Sequence, residues 1–133
     1  MSNTIFIKKT MITIVMAEDH QILIDGVKSF FEYDDNINII GSVNNGEELV
    51  KLVSLKQPKL VITDIRMPIM DGVNATKIIT KSFPNIPVLA LTMFDQSADV
   101  YEMLEAGARG YVTKEVNQTE SIGPVIFTII HRD

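Results

Sequence analysis

Short β-branched runs alternate along this chain with segments in which apolar residues recur at helical spacing. This alternation is typical of βαβ units, in which helices cover both faces of a parallel sheet. We predict an α/β fold with five strands, each followed by a helix. The predicted strands are Ile12 to Met16, Ile37 to Val43, Leu60 to Thr63, Val88 to Leu91 and Gly110 to Val112. The residues predicted to share buried helical faces are Ile22, Leu23, Val27, Phe30 and Phe31, then Leu49, Leu52 and Val53, then Val73, Ile78, Ile79 and Phe83.

The chain has 133 residues, which is the length of one domain. We expect a short leader over residues 1–10 and a single domain over residues 11–133. Lys8 and Lys9 precede the apolar run from Met11 to Ala17, which resembles a short signal peptide. Cleavage there would remove the first predicted strand, so we interpret the run as a strand. No apolar stretch reaches the ~18 residues of a membrane span, and we expect no membrane contact.

The composition excludes several classes of function. There is no cysteine, so thiolate metal sites, disulfides and a cysteine nucleophile are excluded, and the chain suits a reducing, cytoplasmic compartment. The net charge is -5 and the pI is about 5.0, whereas contact with nucleic acid needs clustered Lys and Arg. We expect no direct nucleic-acid contact by these residues.

The last segment fits the alternation less well. Gly123 and Pro124 fall where the fifth helix should be in mid-course, and a proline there removes a hydrogen bond and clashes with the preceding turn. We expect this helix to be short or kinked. Residues 125–130 are apolar on both sides, which predicts self-association, as a homodimer, through this tail.

Polar residues follow four of the predicted strands. In open parallel sheets, ligands bind beyond the carboxyl ends of the strands, so these positions are the candidate site. Singly, each residue is explained as a helix cap, a turn residue or a solvated charge. Together they predict a shared site, because all lie at the same edge of one sheet. They are Glu18, Asp19, Asp64, Thr92 and Lys114.

Three converging carboxylates need a cation, because each like charge disfavours ionisation of the others. Oxygen ligands with a position open to water and phosphate favour Mg²⁺, with Mn²⁺ as a substitute. His20 is adjacent, but a cap or a solvated side chain explains it better than a ligand. A carboxylate beside Mg²⁺ and a lysine can attack phosphorus, which predicts phosphoryl transfer to a protein side chain.

Several segments of the chain resemble those of a known family. The matching residues are Glu18-Asp19, the run Asp64-Ile65-Arg66-Met67-Pro68-Ile69-Met70-Asp71-Gly72, Ala90-Leu91-Thr92 and Gly110-Tyr111-Val112-Thr113-Lys114. They resemble the receiver domain of bacterial two-component response regulators over about residues 11 to 130. Within that family, His20 to Leu23 and Gly107 to Tyr111 look most like the NarL/FixJ (LuxR-type) subfamily. The resemblance implies a flavodoxin-like (CheY-like) doubly wound (βα)5 sandwich with strand order 2-1-3-4-5.

The resemblance also implies roles for the acidic residues. Asp64 would accept the phosphoryl group from a sensor histidine kinase. Asp19, Asp64 and the backbone carbonyl of Arg66 would bind Mg²⁺ directly, and Glu18 would act through water. The chain would catalyse only its own phosphorylation and dephosphorylation, and would not be an enzyme acting on other molecules.

The remaining site residues would contact the phosphoryl group or change conformation in response to it. By the resemblance, Thr92 and Lys114 contact the phosphoryl oxygens. Tyr111 holds the position of the family's switch aromatic, which moves inward as Thr92 turns toward the phosphoryl group. The output surface would then be the face around Asp95 to Ala106 and Tyr111.

The chain departs from the common family pattern in three ways. Glu18 replaces the more frequent Asp, which keeps the charge on an arm one methylene longer, and we expect metal binding to survive. Glu115 stands where many receivers have proline, so a cis bond after Lys114 cannot be assumed. Met93 and Phe94, with Arg66, could obstruct the water that attacks the acyl phosphate, which predicts a phosphoryl lifetime of minutes or longer.

Three rival functions remain to be weighed. A flavin-binding electron carrier would share the fold but needs a Ser/Thr/Gly-rich phosphate loop where Glu18, Asp19 and His20 stand. A phosphohydrolase would usually carry a second acid where Arg66 stands. A receiver-shaped interaction module that has lost phosphorylation is disfavoured because every polar site residue is present.

The sequence says least about the output that this domain would control. Residues 115–133 are too few for the helix-turn-helix domain that regulators of this subfamily usually carry. We expect a receiver from a longer transcriptional regulator that would reach DNA through a C-terminal domain outside these residues. A stand-alone receiver that acts through protein contacts is the alternative.

Overall fold

The computed structural model describes residues 11–31, 36–92 and 97–113 of the chain. All five predicted strands are present. The strands are β1 (Ile12–Ala17), β2 (Ile37–Val43), β3 (Leu60–Asp64), β4 (Val88–Thr92) and β5 (Gly110–Thr113). The helices that connect them are α1 (Gln21–Phe31), α2 (Gly46–Lys56), α3 (Gly72–Ser82) and α4 (Ser97–Ala106).

The five strands form one parallel sheet in the order β2-β1-β3-β4-β5. This confirms the flavodoxin-like, doubly wound order expected from the family resemblance. Because β1 lies between β2 and β3, the residues that follow β1 lie beside the carboxyl end of β3. The carboxyl ends of all five strands meet at one edge, and this edge holds the candidate site.

Four strands extend one residue beyond the prediction. Ala17 pairs with Thr63, Asp64 pairs with Leu91, and Thr92 pairs with Thr113. Asp64 and Thr92 are therefore the last residues of β3 and β4 rather than the first residues of the following loops. Parallel neighbours continue the hydrogen-bond ladder to these polar residues, which hydropathy alone would exclude from a strand.

Alternate residues of each strand enter two separate cores, because successive side chains point to opposite faces. Val15 and Ala17 face the core beneath α2, α3 and α4, which includes Leu49, Ile79 and Met103. Ile14 and Met16 face the second core, which α1 covers with Val27. Burial on both faces explains why the strands read as continuous apolar runs.

The predicted face of α3 is wrong at Ile78, which is 38% exposed. The buried side of this helix carries Val73, Ala75, Thr76 and Ile79. Ile78 lies two residues after Thr76 and one before Ile79, so at 100° per residue it turns away from the core while Thr76 turns toward it. A β-branched polar residue thus takes a core position that the apolar pattern had given to isoleucine.

Several sequence expectations lie outside the described residues. They concern the leader over residues 1–10, the residues from Lys114 onward, the kink at Gly123 and Pro124, and the apolar tail with its predicted self-association. Met93, Phe94 and Asp95 also lie outside them. Within residues 11–31, 36–92 and 97–113, no helix is long and apolar enough to cross a membrane.

Candidate functional site

The acidic pair leaves β1 at the carboxyl edge of the sheet. The Glu18 amide donates a hydrogen bond to the Val43 carbonyl at 2.9 Å, which continues the pairing with β2 by one residue. Glu18 is fully buried, whereas Asp19 and His20 are exposed. The burial of a carboxylate at the end of an apolar strand is costly unless partners hold it.

His20 supplies such a partner. Its backbone amide donates to Glu18 Oε2 at 3.1 Å, and its Nδ1 lies 2.8 Å from the same oxygen. Nδ1 also lies 3.1 Å from Asp19 Oδ1. The expectation that His20 faces solvent is met, since its side chain is mainly exposed, but its ring also contacts both acids of the pair.

Asp64 lies opposite the pair, as the last residue of β3. It is 8% exposed, and its Oδ1 accepts a hydrogen bond from the Ile65 amide at 2.7 Å. The Thr63 hydroxyl donates to the Asp64 carbonyl at 2.9 Å, so the backbone at this position is held as well. These contacts fix the Asp64 carboxylate at the carboxyl edge of the sheet.

The structure brings the predicted acids together. Glu18, Asp19, His20 and Asp64 each offer one ligand atom, and these four atoms all lie within 4.8 Å of one another. Three carboxylates at this spacing repel one another at neutral pH, and a cation relieves that repulsion. Carboxylate oxygens next to an exposed surface suit a hard divalent ion that retains water ligands, so the donor set fits Mg²⁺ or Mn²⁺.

The other predicted residues lie at the same edge or beyond the description. Thr92 ends β4 and is buried, and β4 is the neighbour of β3 in the sheet. Tyr111 lies on β5 with 46% of its surface exposed, so its ring is turned partly to solvent. Lys114 directly follows the end of β5, outside the described residues.

Glycines hold the loop from β3 to α3 close to the sheet. The Gly72 amide donates to the Ile65 carbonyl at 2.8 Å, and a Cβ on Gly72 would lie 2.0 Å from the Asp64 carbonyl oxygen. On the other side, the Gly46 amide donates to the Met70 carbonyl at 2.8 Å, and a Cβ there would lie 2.5 Å from that oxygen. Gly72 belongs to the run that resembles the receiver family, but the sequence predicts neither of these close approaches.

One further contact was not predicted from the sequence. The Arg66 guanidinium binds both carboxylate oxygens of Asp99 in the first turn of α4, through Nη2 to Oδ1 at 2.5 Å and Nε to Oδ2 at 3.4 Å. The hydrogen bond and the charge of Asp99 raise the pKa of Arg66 above its ordinary value. Asp99 falls within the range expected to form the output surface, but no sequence signal pairs residues 33 positions apart.

Comparison with protein families identifies the chain. The model of the response regulator receiver domain matches residues 14–124, which include both the acidic pair and Asp64. The chain belongs to the response regulator receiver family. Proteins of this family are the receiver parts of two-component signalling systems.

The receiver domain has curated relatives among transcriptional regulators. It is 36% identical over 119 residues to the transcriptional regulatory protein LnrK of Bacillus subtilis. This match covers 90% of this chain and 54% of LnrK. It is 34% identical over 103 residues to the response regulator protein VraR of Staphylococcus aureus, covering 77% of this chain and 49% of that protein. The chain thus spans about half the length of the curated relatives it matches.

Solved structures agree with this assignment. A two-component response regulator of the LuxR family from Aurantimonas superposes with a TM-score of 0.82 at 27% identity, covering 90% of this chain and 85% of that one. A DNA-binding response regulator of the LuxR family from Staphylococcus aureus gives a TM-score of 0.75 at 26% identity, covering 86% and 98%. The relatives therefore confirm the NarL/FixJ (LuxR-type) resemblance.

Proposed function

We propose that this receiver domain accepts a phosphoryl group on Asp64 from a sensor histidine kinase, in a reaction that depends on a divalent cation. The proposal rests chiefly on the convergence of Glu18, Asp19 and Asp64 at the carboxyl edge of the sheet. Three carboxylates this close repel one another unless a cation lies between them, and a phosphorylation site needs such a cation next to the acceptor.

The acidic residues divide between metal binding and phosphate acceptance. Asp19, Asp64 and the backbone carbonyl of Arg66 would hold Mg²⁺ or Mn²⁺ directly, with Glu18 acting through water. When bound, the cation supplies positive charge that offsets the charge on the phosphoryl oxygens. Glu18 fits the indirect role, because His20 already donates to its Oε2.

The covalent step takes place at the Asp64 carboxylate. A bond forms between one Asp64 oxygen and phosphorus, the bond from phosphorus to the donor atom breaks, and its electron pair leaves with the donor. The Ile65 amide holds Oδ1 and so fixes the orientation of the acceptor. Thr92 and Lys114 would then contact the phosphoryl oxygens.

The product would act through a change in conformation. Thr92 would turn toward the phosphoryl group, and Tyr111 would move inward from its half-exposed position on β5. The names of the relatives, which include transcriptional regulatory proteins and a DNA-binding response regulator, support control of transcription through a further domain that binds DNA. Residues 11–133 would act as one receiver domain in the cytoplasm. A stand-alone receiver working through protein contacts is the alternative.

A phosphorylation assay on the whole chain tests the proposal. The chain is incubated with acetyl phosphate with and without Mg²⁺, and the adduct is measured by intact mass and peptide mapping. We expect one phosphoryl group on Asp64, only with the metal, and none in Asp64→Asn. Asp25→Asn, at an exposed position on α1, is the matched control and should be phosphorylated like the wild type.

An adduct elsewhere, or one that persists in Asp64→Asn, would refute the assignment. The same assay times the loss of the label after the donor is removed. We expect a lifetime of minutes or longer, because Arg66, Met93 and Phe94 would obstruct water. Loss within seconds would contradict that part of the proposal.

A further inference from the structure

We propose that the Arg66 side chain exchanges partners on phosphorylation: it leaves Asp99 and binds the phosphoryl group on Asp64, which releases the first turn of α4. This inference rests on the proposed function, because it needs Asp64 as the acceptor. It assigns the Arg66 side chain a role besides the metal contact of its backbone carbonyl.

The ion pair connects the phosphorylation loop to α4. Arg66 follows Asp64 by two residues, and its side chain spans to Asp99 at the start of α4. The side chain of Arg66 is 65% exposed and that of Asp99 is 12% exposed. This ion pair joins two elements that are distant in sequence, unlike the ion pairs within four positions that His20 and Lys51 form.

The phosphoryl group is within reach of Arg66. Two residues of extended chain span at most ~7 Å, and a phosphoryl group on the Asp64 side chain lies at the mouth of the same edge. An arginine with most of its surface in solvent can change rotamer without disturbing the core. We therefore expect the exchange to proceed by a change of the Arg66 rotamer.

The energies favour the exchange. The ion pair is exposed on its arginine side, where water screens the attraction and holding a long side chain in place costs entropy, although the Asp99 carboxylate is mostly buried. A phosphoryl group carries about −1.5 to −2 charges and accepts the fork of an arginine at two oxygens. When Arg66 leaves, the N-terminal dipole of α4 still favours the Asp99 carboxylate, so the loss at Asp99 is moderate.

Other charges near Arg66 oppose the exchange. Glu102 on α4 and Asp71 at the start of α3 also act on its charge. Of the two, Glu102 lies on α4 with Asp99, so its charge favours the resting position of the guanidinium. The additional negative charge of a phosphoryl group on Asp64 is thus needed to draw the guanidinium away.

Opposite effects of the two partners distinguish the exchange from a static bridge. We would measure the dissociation constant of beryllofluoride, a phosphoryl analogue, in Mg²⁺ by NMR titration of the whole chain. Asp99→Asn should bind about 2- to 5-fold more tightly, because Arg66 no longer has to leave a partner. Arg66→Gln should bind at least 2-fold more weakly, and Arg66→Lys should fall between it and the wild type.

A double-mutant cycle removes the general effect of charge. In an Arg66→Gln background, Asp99→Asn should change the affinity by less than about 1.5-fold, since no arginine remains to be released. Glu105→Gln makes the same charge change at an exposed position on α4 and should leave the affinity unchanged. An equal gain from Asp99→Asn in both backgrounds would overturn the exchange.

Hydrogen exchange supplies the second readout. Beryllofluoride should speed amide exchange in the first turn of α4 in the wild type, and Asp99→Asn should show that faster rate before the analogue is added. If both single variants shift the affinity in one direction, or neither shifts it, the bridge is static and the inference is wrong. If the wild type binds no beryllofluoride at Asp64, the proposed function itself fails.

Discussion

Replacement of Gly72 by alanine tests whether close packing against the backbone positions the phosphorylation loop. A Cβ at this position would lie 2.0 Å from the Asp64 carbonyl oxygen, 3.0 Å from its carbonyl carbon and 3.1 Å from Ile65 Cα. All three are backbone atoms of the strand end and its loop, so no flexible side chain can yield. Either α3 or the Asp64 backbone has to move.

The cost follows from two opposing terms. Insertion of a methyl group into closely packed surroundings costs ~1–3 kcal/mol, and the upper end applies where backbone must shift. Alanine gains up to ~1 kcal/mol over glycine in a helix, and less at the first helical residue. We expect Gly72→Ala to lower the free energy of unfolding by about 2 kcal/mol and the Tm by roughly 6–10 °C.

Urea unfolding monitored by circular dichroism measures the change, and Gly26→Ala is its matched control. A Cβ on Gly26 meets nothing within 4 Å, and the residue lies inside α1, so alanine there should raise the free energy of unfolding by ~0.5–1 kcal/mol. If Gly72→Ala were as stable as the wild type, or both variants moved in the same direction, the packing argument would be refuted.

Three more predictions concern the surroundings of the site. Ile69 has a φ of 70°, which a β-branched residue tolerates poorly, so Ile69→Gly should gain ~0.5–1 kcal/mol in urea unfolding whereas Ile69→Ala, which keeps the Cβ, should gain less. Asn45 caps α2 by accepting from the Glu48 amide at 2.9 Å, so Asn45→Ala should lose ~1 kcal/mol while Asn45→Ser loses little; equal losses would contradict the cap. Asp19→Asn should raise the free energy of unfolding in EDTA by ~1 kcal/mol, because it relieves repulsion with Asp64, and lower it relative to wild type in Mg²⁺. The same sign in both buffers would argue against a metal at this edge.

Much of the fold could be predicted because its elements are coded locally. Each strand is a short β-branched run, and every described strand lies where the sequence placed it, with ends moved by one residue. The order of the strands came only from the family resemblance, because periodicity does not specify which strands are neighbours. The convergence of Glu18, Asp19 and Asp64 depends on that order.

The sequence could not supply contacts made between distant elements. The pairing of Arg66 with Asp99 depends on how α4 lies against the loop after β3. The closeness of Gly72 to Asp64 depends on the path of the loop, although the Asp71-Gly72 turn signal is visible in the sequence. Thr76 enters the core in place of Ile78 for a similar reason, since the exact rotation of a helix is set by its neighbours.

The loop that follows Asp64 is held more firmly on its α2 and α3 side than on its α4 side. On the α2 and α3 side, Gly46 and Gly72 press backbone against backbone, with no space for even a methyl group. On the α4 side, Met103 packs into the core, but the described contact with the loop after β3 is the ion pair of Arg66 with Asp99, whose arginine is open to water. We therefore expect added negative charge at Asp64 to displace α4 more readily than α2 or α3, because the backbone contacts of α2 and α3 leave them less room to move.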